Sequence, residues 1–255
     1  MSELAFLPPA GARLAVVGGC GGMGRALVTA AIDAGLKVAV LDLARSIAEA
    51  PVPGAIVIVC DVSDEASVNA AFAELDRLWG GLDTLVDLAG YTGETIPVRD
   101  MPTAEWDAIT DCCLRGMFLV ARAALPLLEK GVNPSIVLIS STFGHRVVWP
   151  GLAPYAASKA GVVSLGKALA TECAPGIRVN VISPGVFKTP FLTGGTGRTS
   201  RGSDGISQDS YHRIVPLQRL GDPQEIVGPI LFLAGPAASY VTGQVLHVNG
   251  GIWAP

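Results

Sequence analysis

The sequence predicts a single-domain α/β fold with a doubly wound parallel sheet and helices on both of its faces. Three observations predict it. Short apolar runs rich in β-branched residues alternate with helical patterns along the whole chain. The runs are continuously apolar rather than alternating, which is typical of strands that are covered on both faces. No linker interrupts the 255 residues, so we expect one domain over 1–255.

Seven short apolar runs are predicted as strands because of their β-branched content. They are ARLAVVGG (12–19), KVAVLDL (37–43), AIVIVCDV (55–62), LDTLVDLAG (82–90), SIVLISS (135–141), IRVNVISPG (177–185) and QVLHVNGG (244–251). Five helical patterns lie between them, at 23–36, 64–80, 103–131, 154–174 and 222–235. This alternation is the pattern of stacked βαβ units with right-handed crossovers.

One segment breaks the alternation, PFLTGGTGRTSRGSDGISQDSYHRIV at 190–215. It is rich in Gly, Ser and Thr and is too polar for a core. Long loops in compact domains are usually lids, binding loops or disordered segments. We expect a lid over the substrate, and a surface segment without function is the alternative.

The composition excludes several classes of protein. A formal charge of −4 argues against a nucleic-acid-binding face, which needs clustered basic residues. No apolar stretch is long enough to span a membrane, and the start lacks the pattern of a secretory signal, so we expect a cytoplasmic protein. Five cysteines without a CxxC pair predict reduced thiols, with no disulfide framework and no metal site.

A glycine-rich turn follows the first predicted strand. In AVVGGCGGMGRAL (15–27), the backbone around Gly18, Gly22, Met23 and Gly24 leads into the first predicted helix. Free N–H groups and the helix dipole at such a start suit a pyrophosphate, and glycine is needed where a Cβ would block its approach. The sequence therefore predicts a Rossmann-like dinucleotide site here.

Acidic residues follow the next two predicted strands. Asp42 can accept hydrogen bonds from the ribose hydroxyls of an adenosine and would repel a 2′-phosphate, which predicts NAD(H) rather than NADP(H). Arg45 is the one nearby cation that argues otherwise, and a turn-capping role is the alternative for Asp42. Asp61 and Val62 are candidates for the adenine pocket, although Asp61 fits a helix start nearly as well.

Tyr155 and Lys159 are four residues apart in PYAASKAG (154–161), so on a helix they share one face. A phenol has an ordinary pKa near ~10, and a nearby ammonium favours the phenolate. We expect Lys159 to lower the pKa of Tyr155 far enough for acid–base catalysis. The small residues between them leave room for a cofactor against the helix.

These motifs together resemble the short-chain dehydrogenase/reductase family along essentially the whole chain. The glycines at 18, 22 and 24 match its TGxxxGxG loop, DLAG (87–90) stands at its NNAG, VLISS (137–141) fits its catalytic-serine strand, YAASK (155–159) fits YxxxK, and RVNVISPGVFKT (178–189), PLQRLGDPQEI (216–226) and YVTGQVLHVNGG (240–251) fit its later segments.

The resemblance implies a role for each matched residue. Tyr155 would be the general acid–base, Lys159 would also hold the nicotinamide ribose, and Ser141 would orient the substrate carbonyl. The resemblance assigns further cofactor contacts to Ala89, Gly90, Pro184, Gly185, Val186 and Thr189. It implies hydride transfer at the nicotinamide C4, coupled to proton transfer through Tyr155.

Two departures from the family pattern bear on function. Asp87 replaces an asparagine of NNAG, and a carboxylate there must be solvated or hydrogen-bonded to stay charged. Cys113 stands where the family has an asparagine that holds a water linking the lysine to solvent. Either the main-chain carbonyl holds that water, or the enzyme is impaired. With no adjacent histidine, we do not expect Cys113 to be a reactive thiol.

These observations favour an NAD(H)-dependent oxidoreductase that interconverts a secondary alcohol and a ketone. Candidate pocket walls are Tyr91, Thr92, Phe143, His145, Trp149, Phe187, Phe191 and Leu192, whose apolar bias indicates a hydrophobic or cyclic small-molecule substrate. Several of these side chains could equally pack the core, and His145 suits packing better than catalysis.

Two other functions remain as alternatives. A 3-oxoacyl carrier-protein reductase usually uses NADP(H), which Asp42 and the acidic net charge argue against. A nucleotide-binding regulatory protein with little turnover is supported by Cys113. The resemblance also implies a homotetramer, with a dimer as fallback, because the helices at 103–131 and 154–174 form the dimer face in this family. Their apolar surface, which exceeds what one sheet face needs, agrees with this.

Overall fold

A parallel sheet of seven strands runs through the protein, in a computed structural model that describes residues 6–198 and 208–255 (backbone only for 208–210). The strands are β1 (Arg13–Val17), β2 (Lys37–Asp42), β3 (Ile56–Val59), β4 (Thr84–Asp87), β5 (Ser135–Ile139), β6 (Arg178–Pro184) and β7 (Val245–Val248). Their spatial order is β3-β2-β1-β4-β5-β6-β7, and all neighbouring pairs are parallel. Each predicted run contains one of these strands, so the predicted fold class is confirmed.

Helices connect the strands. They are α1 (Gly22–Asp33), α2 (Ala44–Glu49), α3 (Glu65–Trp79), α4 (Thr103–Thr110), α5 (Gly116–Leu128), α6 (Ala153–Glu172), α7 (Gln208–Ile214) and α8 (Val227–Ala234). Two short helices, α2 and α7, were not predicted. The helix predicted over 103–131 consists of α4 and α5, joined through a π-helical turn at Asp111–Arg115 that buries Cys112 and Cys113. Such turns are rare overall, and those that occur are often found at functional sites.

The sheet is buried because helices cover both of its faces. Successive side chains of a strand point to opposite faces, and β1 shows this directly. Ala15 and Val17 belong to an apolar core shared with α3, α5 and α6, whereas Leu14 and Val16 belong to a second core shared with α1 and α8. Continuous apolar runs are therefore required, as the sequence indicates.

Local signals define the ends of α3. The Asp64 carboxylate accepts a hydrogen bond from the Ala66 N–H at 3.0 Å, which satisfies one free donor of the first turn. Gly80 ends the helix in the left-handed conformation, with φ of 63°. These ends agree with the segment 64–80 that the sequence predicts.

The strand order reverses between β1 and β4, which places a crevice at the carboxyl ends of the central strands. The glycine loop follows β1, while Asp42 and Asp87 are the last residues of β2 and β4. Among the described residues, no helix is long and apolar enough to cross a membrane. The same part of the chain holds no group of three or more side chains that could bind a metal ion.

Candidate functional site

The glycine loop packs directly against the segment that follows β4. Gly18 has φ of 76°, and a Cβ there would lie 3.0 Å from the Ala89 backbone nitrogen, so only glycine fits. The loop then enters α1 through Gly21, where no side chain caps the free N–H groups. Together, the uncapped helix start and the absent side chains leave a cradle that fits a pyrophosphate.

Asp42 borders this cradle at the end of β2. Its carboxylate is 9% exposed and accepts hydrogen bonds from the Cys20 and Leu43 N–H groups, both at 2.8 Å. These two bonds hold one oxygen toward the glycine loop and the other toward α2. The turn-capping role considered for Asp42 is therefore observed. The same two hydrogen bonds fix the orientation of the carboxylate beside the cradle.

A cleft extends from the glycine loop along the carboxyl edge of the sheet. Of the residues predicted to contact the cofactor, it brings together Gly18, Gly22, Met23, Gly24, Asp42, Asp61, Val62, Ala89, Gly90 and Thr189. The Asp61 carboxylate also accepts from the Ser63 N–H at 2.9 Å, in the turn before α3. Both roles weighed for Asp61 are therefore compatible with its position.

The predicted catalytic residues form a buried cluster beside the cleft. Tyr155 and Lys159 lie on one face of α6, with the ammonium nitrogen 5.8 Å from the centre of the phenol ring. Lys159 Nζ donates to the Ile139 carbonyl at 2.8 Å. The Ser141 hydroxyl lies close enough to the Tyr155 phenol to influence its pKa, and it accepts the Phe143 N–H at 3.2 Å. The geometry brings the three groups together, while their catalytic roles stay predictions.

The hydroxyl groups on either side of Ser141 have other partners. Ser140 Oγ donates to the Lys159 carbonyl at 2.7 Å, and Thr142 Oγ1 donates to the Pro184 carbonyl at 3.0 Å. Both bonds are buried and tie β5 to α6 and β6. Of these neighbours, Ser141 is the one that contacts the Tyr155 phenol.

The electrostatics of Tyr155 differ from the expectation. Burial raises the pKa of its phenol well above the ordinary value, the Ser141 hydroxyl partly offsets this, and Cys113 raises it further. The predicted lowering by Lys159 is therefore wrong for the protein without cofactor. The Lys159 ammonium, whose nitrogen lies 5.8 Å from the centre of the ring, does not reverse the effect of burial. The phenol is protonated at neutral pH.

Asp87 is completely buried at the end of β4. Its Oδ1 accepts the Ala89 N–H at 2.9 Å, but its Oδ2 has no hydrogen-bond partner among the described residues. Burial raises the pKa of this carboxyl to about 6, although the Ala89 bond and the charge of Lys159 oppose the shift. Of the two possibilities considered from the sequence, solvation is excluded and hydrogen bonding is half satisfied.

Cys112 and Cys113 are neighbouring buried thiols in the π-helical turn. The Cys112 thiol lowers the pKa of Cys113 to about 7 against the effect of burial, and the charge of Lys159 lowers it further. Cys113 Sγ also donates to the Tyr91 carbonyl at 3.3 Å. The expectation that Cys113 is not a reactive thiol stays a prediction: its side chain is fully buried, and a neighbouring thiol and a lysine, rather than a histidine, lower its pKa.

Residues of the segment after β6 line two different cavities. Thr189 lines the cleft against Gly22, whereas Gly185, Val186 and Phe187 line a second cavity with Tyr211, whose hydroxyl accepts the Val186 N–H at 2.8 Å. The structure therefore does not bring these three residues to the glycine-loop cleft. Pro184 lies behind them, with its carbonyl bound to Thr142.

Only part of the predicted substrate wall surrounds Tyr155. Phe143 and Phe191 have ring centres 6.3 and 6.0 Å from the Tyr155 ring. Trp149 stacks on Phe143 at 6.0 Å and on Tyr211 at 5.8 Å. Phe187 is buried and pairs with Gly221 in an isolated bridge, which is a packing role.

His145 and Tyr91 take positions that sequence reasoning could not supply. His145 stacks on Trp253 at 4.5 Å and meets His247 at 4.8 Å, in the packing role considered for it. Tyr91 carries the guanidinium of Arg198 on its ring. Sequence reasoning missed the cleft-lining residues Leu43, Ser46, Cys112, Gly195, Thr196 and Arg198. No local motif marks them, because the chain reaches the cleft there only through tertiary folding.

Gly90 separates the thiol pair from the lysine, and replacing it tests the cluster. A Cβ at Gly90, where φ is 155°, would lie 3.3 Å from Cys113 Sγ and 3.4 Å from Lys159 Nζ. We expect Gly90→Ala to fold but to lower kcat about tenfold or more, because a displaced lysine misaligns the reacting groups. Steady-state kinetics with circular dichroism check this prediction.

Gly80→Ala is the matched control, since Gly80 has φ of 63° but no atom lies within 4 Å of the place that a Cβ would occupy. It also places an alanine at a positive φ, and it leaves the cluster untouched. Equal losses of kcat in the two variants would contradict the role of the Gly90 contact.

Comparisons with known proteins agree with this geometry. A family model described as enoyl-(acyl carrier protein) reductase matches residues 18–253. The 3-oxoacyl-[acyl-carrier-protein] reductase FabG of Thermotoga maritima is 38% identical over 195 residues, covering 76% of this chain and 75% of the relative. The enzyme of the same name from Staphylococcus aureus strain Mu50 is 34% identical over 247 residues, covering 93% and 96%.

A solved structure from Brucella melitensis, titled a short-chain dehydrogenase/reductase of the glucose/ribitol dehydrogenase type, superposes with a TM-score of 0.86 at 33% identity. The match covers 98% of this chain and 99% of that one. The match extends over the cofactor cleft and the Ser141–Tyr155–Lys159 cluster alike. The chain therefore belongs to the short-chain dehydrogenase/reductase family, whose members are oxidoreductases that bind a nicotinamide cofactor.

Proposed function

We propose that this protein is an NAD(H)-dependent oxidoreductase that interconverts a secondary alcohol and a ketone. The observation that carries the proposal is the pairing of a buried Asp42 carboxylate at the ribose end of the cleft with the Ser141–Tyr155–Lys159 cluster at its other side. We also propose the single domain over 1–255 and the lid over 190–215, of which 199–207 lies outside the described residues.

The roles of the chain's own residues follow from their environment. A bound nicotinamide would supply the hydride donor or acceptor. Tyr155 would donate its proton to the carbonyl oxygen during reduction, since its phenol is protonated at neutral pH. Ser141 would orient that oxygen from its position beside the phenol. Lys159 would hold the nicotinamide ribose, leaving the Ile139 carbonyl to which it now donates.

Replacing Asp42 tests the preference of the protein for NADH over NADPH. In Asp42→Ala the charge that opposes a 2′-phosphate is lost, together with two acceptors for ribose hydroxyls. We expect the Kd for NADH to rise about tenfold and the Kd for NADPH to fall, so that the preference narrows or reverses. Fluorescence titration with both cofactors measures the ratio.

The ratio of the two Kd values separates the loss of the Asp42 charge from damage to the glycine loop, which also loses the hydrogen bond between the Cys20 N–H and Asp42. Loop damage weakens both cofactors equally. Asp33→Ala, which removes an exposed carboxylate at the C-terminal end of α1, is the control for a general change of charge. An unchanged ratio of the two Kd values in Asp42→Ala would contradict the assignment.

A 3-oxoacyl carrier-protein reductase is the second candidate. The names of the relatives at 34–38% identity support this substrate better than they support a free secondary alcohol. The two candidates share the same catalytic groups and differ in the substrate and in the cofactor. The acidic net charge and Asp42 remain arguments against it.

Purified protein assayed in both directions distinguishes these functions. Acetoacetyl thioesters of carrier protein or coenzyme A test the second candidate, and a panel of cyclic, steroid and aromatic ketones and alcohols tests the first, each with NADH and NADPH. Cofactor binding without turnover on either panel would favour the nucleotide-binding regulatory alternative. The homotetramer, with the dimer as fallback, stays a prediction.

A further inference from the structure

A strap formed by Thr189–Arg198 crosses the cleft between α1 and α2. At one end Thr189 packs against Gly22 at the start of α1, where a Cβ would lie 2.6 Å from the Thr189 Cβ. At the other end the Thr196 carbonyl accepts from Ser46 Oγ at 3.0 Å, and the Gly197 N–H donates to Glu49 Oε2 at 2.9 Å. The strap is thus fastened to both helices that flank the path of a dinucleotide.

The chain turns sharply at the end of the strap and directs Arg198 back into the cleft. The Arg198 N–H donates to the Gly195 carbonyl at 3.2 Å, and the guanidinium carbon lies 3.7 Å from the centre of the Tyr91 ring. Tyr91 follows Gly90, where an added Cβ would lie 3.4 Å from Lys159 Nζ. The guanidinium therefore reaches from the strap to the segment after β4.

Arg198 is the one basic side chain among the described residues that line the cleft, where Asp42 and Asp61 are acidic. Within the same part of the chain, Arg198 forms no ion pair with a carboxylate. Its observed contact is a cation–π interaction, which is weaker than a charge-assisted hydrogen bond to phosphate. A guanidinium in this setting has an anion-binding capacity that the described carboxylates do not use.

A dinucleotide brings the matching charge. Its pyrophosphate carries two negative charges, for which the glycine loop offers only backbone N–H groups and the partial charge of the α1 dipole. A guanidinium can bind phosphate oxygens through two parallel hydrogen bonds. Arg198 and the glycine loop line the same cleft, so the guanidinium and the pyrophosphate would share it.

We propose that Arg198 is a cofactor-binding residue that exchanges its contact with the Tyr91 ring for the pyrophosphate of the bound dinucleotide, closing the strap over the cofactor. This inference rests on the proposed function, because it requires the dinucleotide in the glycine-loop cleft. It adds a binding residue outside the glycine loop and gives the segment after Thr189 a task in holding the cofactor as well as in covering the substrate.

The test compares Arg198→Met, which keeps an unbranched side chain but removes the guanidinium and its charge, with Arg198→Lys. NADH affinity is measured by fluorescence titration at two salt concentrations, and adenosine, which lacks phosphate, is measured by competition. We expect Arg198→Met to raise the Kd for NADH about tenfold and to reduce its salt dependence, with the Ki of adenosine unchanged. Arg198→Lys is expected to lose less.

Arg45→Met is the control, because Arg45 is exposed on α2 next to Ser46 and does not line the cleft. An unchanged Kd for NADH in Arg198→Met would overturn the inference. Equal weakening of NADH and adenosine would overturn it as well, as would an effect confined to the KM of the substrate. Failure of the parent protein to bind either NADH or NADPH would instead overturn the proposed function, and this inference with it.

Discussion

Replacing Tyr155 by phenylalanine is expected to lower kcat by about 10²–10⁴-fold, the usual contribution of a positioned general acid or base, while the Kd for NADH stays within about twofold. The variant removes the one hydroxyl that contacts Ser141 in the cluster and preserves the ring that packs against Phe143 and Phe191. Steady-state kinetics and cofactor titration on the same samples measure both quantities.

The two directions of the reaction are expected to depend on pH in different ways. Burial raises the pKa of Tyr155, so the phenol keeps its proton at neutral pH in the free protein. Reduction uses the protonated phenol and is expected to persist at neutral pH, whereas alcohol oxidation needs the phenolate and is expected to increase as the pH rises. Both pH dependences should disappear in Tyr155→Phe.

Tyr240→Phe is the matched control, since Tyr240 is fully exposed and outside the cluster. It should keep the kcat and the pH dependence of the parent protein. Undiminished turnover in Tyr155→Phe would remove the basis of the proposed chemistry, because no other residue of the cluster combines a transferable proton with contact to Ser141.

Asp87→Asn is expected to increase the free energy of unfolding at neutral pH by about 2–3 kcal/mol. Burial raises the pKa of the Asp87 carboxyl from its ordinary value of 3.8 to about 6, and each pKa unit corresponds to roughly 1.4 kcal/mol. Asparagine keeps an oxygen for the Ala89 N–H and removes the buried charge. Urea unfolding of cofactor-free protein at several pH values measures the difference.

The sign of the pH dependence follows from linkage. The folded state holds the Asp87 proton more tightly than the unfolded state, so Asp87 costs no stability below about pH 4, and its cost grows as the pH rises toward about 6. The parent and Asp87→Asn should therefore be equally stable at pH 4 and differ most above pH 6. A difference that is constant with pH would contradict this account.

Asp83→Asn is a control with an expected effect of opposite sign. Asp83 immediately precedes β4, the strand that ends at Asp87. Burial alone would raise the pKa of Asp83, but hydrogen bonds from the Arg13 side chain, the Arg13 N–H and the Val132 N–H lower it overall. Its charged form is thus stabilised, and the stability it contributes is present above the ordinary pKa and lost as the pH falls through the lowered value. Asparagine should destabilise the protein at neutral pH by roughly 2 kcal/mol or more.

Much of the fold was predictable because it depends on patterns that are local in sequence. The apolar runs located all seven strands, since burial on both faces requires continuous Val, Ile and Leu. The short helices α2 and α7 and the π-helical turn escaped prediction. Each is too short for its periodicity to stand out, and a π turn differs from an α-helix by a single residue per turn.

The candidate site, like the fold, was predictable only in part. Spacing alone paired Tyr155 with Lys159, and position after a strand placed Asp42 at the cleft. The pKa values could not be read from the sequence, because burial rather than the neighbouring ammonium controls Tyr155, and Cys112 together with Lys159 controls Cys113. Desolvation depends on everything packed around a group, and most of that lies far away in sequence.

The sequence by itself determined the alternation of strands and helices, the glycine cradle and the order of the catalytic residues, because each needs only neighbours within a turn or a strand. The tertiary structure alone decided that Asp87 is buried with one unpartnered oxygen and that Arg198 lies on Tyr91 within the cofactor cleft. Both depend on contacts between segments separated by long stretches of chain, and such contacts form only when the sheet and its helices assemble.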